Sequence, residues 1–118
     1  MRRFKFVLLV LASTTALTAC ESMITGGPLI RPGEPTGVIE VVNATSRNVD
    51  TVAISDCDAN TYGLDRLPSD TIIPPGGRYR FTVSAGCWDV DAGAYGRGEA
   101  RQRMQVAAGG GVRYTVTE

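Results

Sequence analysis

The stretch Arg78-Tyr79-Arg80-Phe81-Thr82-Val83-Ser84 decides the fold. In an extended chain Tyr79, Phe81 and Val83 fall on one side and Arg78, Arg80, Thr82 and Ser84 on the other, the period-two pattern of a strand with one buried face. Pro74-Pro75-Gly76-Gly77 precedes it, a turn signal built from fixed and permissive φ angles. Downstream, residues 87–92 turn Trp88, Val90 and Ala92 inward. Residues 99–107 turn Ala100, Met104 and Val106 inward with Gln102 on the same face, and 112–117 do so with Val112, Tyr114 and Val116. Upstream, 38–43 and 49–56 are β-branched runs parted by the turn-like cluster 44–48, and Ile72-Ile73 has the makings of a short strand. Asn43-Ala44-Thr45 has the form of a glycosylation acceptor, but its place between two runs reads as part of a turn. No helical period or internal repeat interrupts the series. Six to seven short strands with Gly-rich turns predict an all-β chain, a small antiparallel β-sandwich over residues 37–118.

The inward faces also predict registers, because a one-residue slip inverts a whole strand. If 78–84 and 87–92 form a hairpin through Ala85-Gly86, Thr82 opposes Asp89 and Arg80 opposes Asp91. A loop at Tyr95-Gly96-Arg97 then sets Asp91 against Arg101, Asp89 against Arg103 and Trp88 against Met104. A last hairpin through 107–111 sets Val106 against Val112 and Met104 against Tyr114. Arg78, Arg80, Arg101, Arg103 and Arg113 all point outward in this scheme, with Asp89 and Asp91 between them. The expectation is one solvated charge ladder whose central carboxylates suppress strong anion binding.

Composition narrows the chemistry. The 118 residues hold 12 basic and 12 acidic groups, no His, and a single Lys at position 5. Arg2, Arg3 and Lys5 precede an uncharged run of 15 residues from Phe6 to Cys20. Without that head the remainder has nine basic and twelve acidic groups. Such a balance lacks the footprint needed to neutralise nucleic-acid phosphates. It also leaves no histidine- or lysine-based nucleophile activation and no His-ligated metal.

The head has the three parts of an export signal: a basic start, the apolar Phe6-Val7-Leu8-Leu9-Val10-Leu11-Ala12, and then small residues. The apolar part is too short to span a bilayer as a helix. Leu17-Thr18-Ala19-Cys20 resembles the lipobox of bacterial lipoproteins. That resemblance covers only the first twenty residues. It implies removal of a signal peptide at 1–19, diacylglycerol on the Cys20 thiol, and acylation of the new amine. Two or three acyl chains, at about 0.8 kcal/mol per buried CH₂, make a lasting membrane anchor. Glu21 rather than Asp after the cysteine implies the outer membrane, facing the periplasm. Residues 20–36 carry Gly26, Gly27, Pro28, Pro32, Gly33 and Pro35, which suppress regular structure, and read as a tether.

With Cys20 lipidated in an oxidising compartment, Cys57 and Cys87 remain and are expected to form a disulfide. No Cys-x-x-Cys is present, and two thiolates without His are too few for a structural zinc. Asp56-Cys57-Asp58-Ala59-Asn60 has the opening spacing of a calcium loop, but Thr61 and Leu67 stand where an EF-hand needs Gly and Glu. Gly109-Gly110-Gly111 lacks the Lys and Ser/Thr of a phosphate loop and reads as a turn. Asp89 and Asp91 share a face like a hydrolase pair, yet arginine neighbours would hold both ionised. Trp88, Tyr79 and Tyr114 belong to the core by alternation. Tyr62 and Tyr95 fall in loops and are the candidate contacts for a partner. These features predict a chain that is not an enzyme, with no cofactor and no metal, anchored to the membrane through its lipid. It would serve as an interaction or assembly module for an envelope protein. The alternative is a ligand-binding or inhibitor module that captures a protein or wall polymer through its loops, chiefly 57–70.

Overall fold

Among the described residues the alternation is realised in six strands. A computed structural model of the chain describes residues 26–59, 63–94 and 97–118. The strands are β1 (Thr36–Asn43), β2 (Thr51–Asp56), β3 (Arg78–Ser84), β4 (Gly86–Ala94), β5 (Arg97–Val106) and β6 (Gly111–Val116). They form two three-stranded sheets, ordered β3-β1-β6 and β2-β4-β5, packed face to face as a small β-sandwich. Ile72-Ile73 contributes only an isolated bridge, Ile73 to Val49.

The core lies between the sheets where the alternation puts it. Ile39 and Val41 from β1, Val52 and Ile54 from β2, Phe81 and Val83 from β3, and Trp88 and Val90 from β4 are all buried. Met104, Val106, Tyr114 and Val116 complete it, and Tyr79 and Val112 pack against it while partly buried. Gln102, on the inner face by parity, is exposed.

Two of the three expected hairpins do not form. The β4–β5 pairing is the expected one: Trp88 opposes Met104, Asp89 opposes Arg103, and Asp91 opposes Arg101. A register shift between Ala92 and Ala94 lets Arg97 pair as well. Such a shift is how an extra residue in one strand reconciles parity with a shorter connection. By contrast β3 pairs with β1, setting Phe81 against Ile39 and Arg80 against Glu40 rather than Asp91. Only Ala85 separates β3 from β4, and the chain uses it to cross between sheets. β6 does not fold back on β5 either. It runs parallel to β1, with Tyr114 beside Val41 and Arg113 beside Glu40. The sandwich is therefore antiparallel in three pairings and parallel in one.

The end of the sandwich at Thr36, Ser84, Gly86, Val106 and Gly111 is tightly closed. A Cβ on Gly37 would lie 2.5 Å from Val106 Cγ1 and 2.6 Å from the Ala107 carbonyl oxygen, so only glycine lets β1 enter beneath the β5–β6 turn. At the opposite end Asn43, fully buried, organises the 44–48 turn. Its amide donates to the Arg47 and Ile73 carbonyls, and its oxygen accepts from the Thr45 amide and hydroxyl. Those bonds occupy the side chain as a turn organiser, in keeping with the sequence reading.

Candidate functional site

Segment 26–35, read from sequence as tether, has no regular structure but is laid against the sandwich as a strap. The Asp56 amide donates to the Gly26 carbonyl, the Ser84 amide to Leu29, and the Ala85 amide to Pro35. Gly26 adopts φ +82°, and a Cβ there would sit 2.7 Å from Ser55 Cβ, so this close approach requires glycine. Leu29 packs on the core. Arg31 is the clasp. Its Nη1 donates to Asp56 (2.8 Å), its Nε to Glu34 (2.6 Å) and its amide to Ser84 Oγ (2.7 Å), while its guanidinium lies 5.0 Å from the Trp88 ring centroid. Arg66 reaches across from the 63–70 segment, donating to the carbonyls of Ile54 and Gly27.

The disulfide is formed. Cys57 and Cys87 stand at adjacent ends of β2 and β4 with Cα atoms 5.6 Å apart. The Cys57 amide also donates to the Cys87 carbonyl, so the bridge extends the β2–β4 ladder. This placement bears on the calcium-like loop. Asp56 Oδ2 accepts from Arg31 and Oδ1 from the Asp58 amide, while Asp65 Oδ1 accepts the amides of Val52 and Leu67. Among the described residues no group of three or more His, Cys, Asp or Glu side chains is assembled to hold a metal. Tyr62 and Tyr95, the candidate loop contacts, lie outside the described residues, as does Cys20 with residues 1–19. Trp88, Tyr79 and Tyr114 belong to the core as expected.

The single charge ladder is instead two separate clusters on opposite outer faces. On the β2-β4-β5 face Asp89, 5% exposed, accepts two hydrogen bonds from Arg103 (Nε 3.0 Å, Nη2 3.1 Å) and one from Arg101 (2.9 Å). The Arg103 bond foremost, aided by Arg101, holds the Asp89 carboxyl below its ordinary pKa, burial opposing. Asp91, opposite Arg101 in the register, is also buried, so two arginines and two aspartates cancel. Neither carboxylate is a solvated surface group, contrary to the sequence reading: both are buried, Asp89 beneath Arg101 and Arg103.

On the β3-β1-β6 face the centre is Glu40, 6% exposed, which sequence reasoning passed over. Its Oε2 accepts from Arg80 Nε (2.9 Å) and its Oε1 from Arg113 Nε (3.0 Å), with Arg78 Nη1 3.6 Å from Oε1. The Arg80 bond is the largest cause that lowers the Glu40 pKa, joined by Arg113 and the charge of Arg78 against burial. A lone carboxylate within the apolar run 38–42 was the available signal. Three guanidiniums meet one carboxylate here, which leaves two positive charges in excess. Glu40, Arg80 and Arg113, with Val38, Gly110, Gly111 and Val112, line an open groove of about 360 Å³, and Arg78 stands outside that lining.

Both carboxylates give the fold an acid-sensitive component. Their folded pKa values lie below the unfolded ones, so the stability they confer is complete above the unfolded value, near pH 4, and is lost as pH falls through the depressed folded value. Urea midpoints followed by Trp88 fluorescence should be level from pH 7 to about pH 5 and decline below about pH 4. Asp89→Asn should weaken the fold at neutral pH by about 1–2 kcal/mol and flatten part of the acid decline. An unchanged acid slope in that variant would remove Asp89 as a cause.

The chain matches no protein-family model and no curated protein sequence.

Proposed function

We propose that the protein is an envelope lipoprotein whose sandwich acts as a non-catalytic interaction module, held close to the membrane in a defined orientation. The observation that carries this reading is the strap. A lipobox-like Cys20 stands six residues before Gly26, and from Gly26 onward the chain is clasped to the sandwich by Arg31, Arg66 and backbone hydrogen bonds. Six residues reach at most about 20 Å. An anchor at Cys20 would therefore set the strap end of the domain against the bilayer surface instead of letting it wander. The Cys57–Cys87 disulfide suits an exported chain, because such bonds persist in oxidising compartments. The chemistry of the two charge clusters suits binding better than catalysis. Arginines hold Asp89 and Glu40 ionised, so neither is prepared to donate a proton near neutral pH.

Intact mass of the protein extracted from membranes tests the anchor. The expected species begins at Cys20 and carries two or three acyl chains, and Cys20→Ala should yield uncleaved precursor or a soluble product. An unmodified N-terminus at any other residue would refute the proposal. Capture of a partner through the loops is the other reading carried over from the sequence. In the 57–70 loop Leu64 is 57% exposed.

A further inference from the structure

The two outer faces carry similar residues but differ in what their arginines have left to offer. On the β2-β4-β5 face Arg103 commits Nε and Nη2 to Asp89, and the formal charges balance. On the β3-β1-β6 face Arg80 and Arg113 each reach Glu40 through Nε alone, so the terminal nitrogens of both forks take no part in those bonds. Their side chains are 73% and 63% exposed, and that of Arg78 is 57% exposed. Glu40 sits beneath them, opposite Arg80 on one side and Arg113 on the other. It neutralises one charge of three and orients two guanidiniums across the groove. The floor between is apolar at Val38, and one end is formed by Gly110 and Gly111, where no side chain intrudes.

We propose that this groove is a binding site for the phosphate of an anionic lipid headgroup. Paired guanidinium forks match tetrahedral oxyanions, and charge-assisted hydrogen bonds of this kind are the strong ones. Location selects the lipid as the source. Gly110 and Gly111 belong to the end of the sandwich where the strap lies: Gly109 donates to the Thr36 carbonyl, and the Val38 amide to that of Gly110. That is the end which the short reach from Cys20 brings to the bilayer surface, so the choice of a headgroup rests on the anchoring proposed above. The apolar floor suits the glycerol portion next to the phosphate.

The test uses the full protein purified in a neutral maltoside detergent, with calorimetric titration of three probes. These are dihexanoyl phosphatidylglycerol below its micelle concentration, dihexanoyl phosphatidylcholine, and inorganic phosphate. Phosphatidylglycerol should bind most tightly, and its affinity should fall as sodium chloride is raised. Arg80→Gln together with Arg113→Gln should weaken it by about tenfold or more, while Arg101→Gln with Arg103→Gln should change it by less than about twofold. Because the first pair strips Glu40 of its two shorter partners, Arg78→Gln serves as the second variant. Arg78 lies outside the groove's lining and makes only the 3.6 Å contact, so its loss should weaken binding through the charge removed from that face, without lowering the melting temperature. Equal binding of the two lipids, or indifference to the loss of Arg80 and Arg113, would overturn the site. Inorganic phosphate binding more tightly than phosphatidylglycerol would overturn the lipid as its source. None of these readings depends on how Cys20 is modified, so failure of the groove and failure of the anchor would be told apart.

Discussion

Trp88→Ala will destabilise the domain by about 3–5 kcal/mol, the range for deleting a large aromatic from a packed core. The side chain has no exposed surface and lies with Phe81, Val90 and Met104 in the cluster between the sheets. Three separate effects meet at it. Its ring fills the core next to the point where the chain crosses between sheets at Ala85. Its indole Nε1 donates to the Ser84 carbonyl at 2.7 Å, satisfying a buried acceptor at the end of β3. The Arg31 guanidinium, the clasp of the strap, lies over its face. A graded series separates them. Trp88→Phe retains much of the apolar volume but leaves the Ser84 carbonyl unpaired, for an expected loss of about 1–3 kcal/mol. Arg31→Ala retains the ring and should cost less than either, while loosening the strap, seen as faster amide exchange at Ser84 and Ala85. Because a domain of this size has about 5–10 kcal/mol in hand, Trp88→Ala should leave it barely folded at 37 °C. Circular dichroism under urea is the measurement, and a loss below about 2 kcal/mol would show that the site repacks.

How these strands would behave one at a time was visible in their side chains, whereas how they would be shuffled was not. Tyr79-Phe81-Val83 and Trp88-Val90-Ala92 face inward because each follows the pleat. The β4–β5 register could be read because parity and the opposition of Asp89 and Asp91 to Arg103 and Arg101 agree. Parity cannot tell a hairpin from a crossing, however. The connection at Ala85-Gly86 keeps Val83 and Trp88 both inward whether β4 lies beside β3 or in the facing sheet. The Gly-rich turn after Val106 leaves the same ambiguity for β6. Its parallel pairing with β1 joins the first strand to the last and has no local signature. One consequence reached the candidate groove. The hairpin register sets Arg80 against Asp91 and gives Arg113 no carboxylate, because the partner of both, Glu40, lies 40 and 73 residues away along the chain. The strap was similarly hidden: its Gly and Pro residues exclude helix and strand, but that does not exclude docking.

Loss of the Cys57–Cys87 bridge should lower stability by about 3–4 kcal/mol, mostly through the unfolded chain. The cysteines are 30 residues apart, and the segment between them contains all of β3, which belongs to the other sheet. In the unfolded protein the bridge confines that segment to a closed loop, removing conformations that folding would otherwise have to give up. In the folded protein it adds little new order, since Asp56 already pairs with Trp88 and the Cys57 amide already donates to the Cys87 carbonyl. The double variant Cys57→Ser, Cys87→Ser should therefore retain its strand content and near-native fluorescence while melting about 12–30 °C lower. Dithiothreitol should reproduce that shift in the native protein and leave the variant untouched. The strap supplies a local check: it hydrogen-bonds to Asp56 and Ala85, on either side of the bridge, so reduction should speed amide exchange there before the rest of the sandwich opens. If the reduced protein melts within about 3 °C of the oxidised one, the chain-entropy account fails and the β2–β4 ladder alone secures this end of the domain.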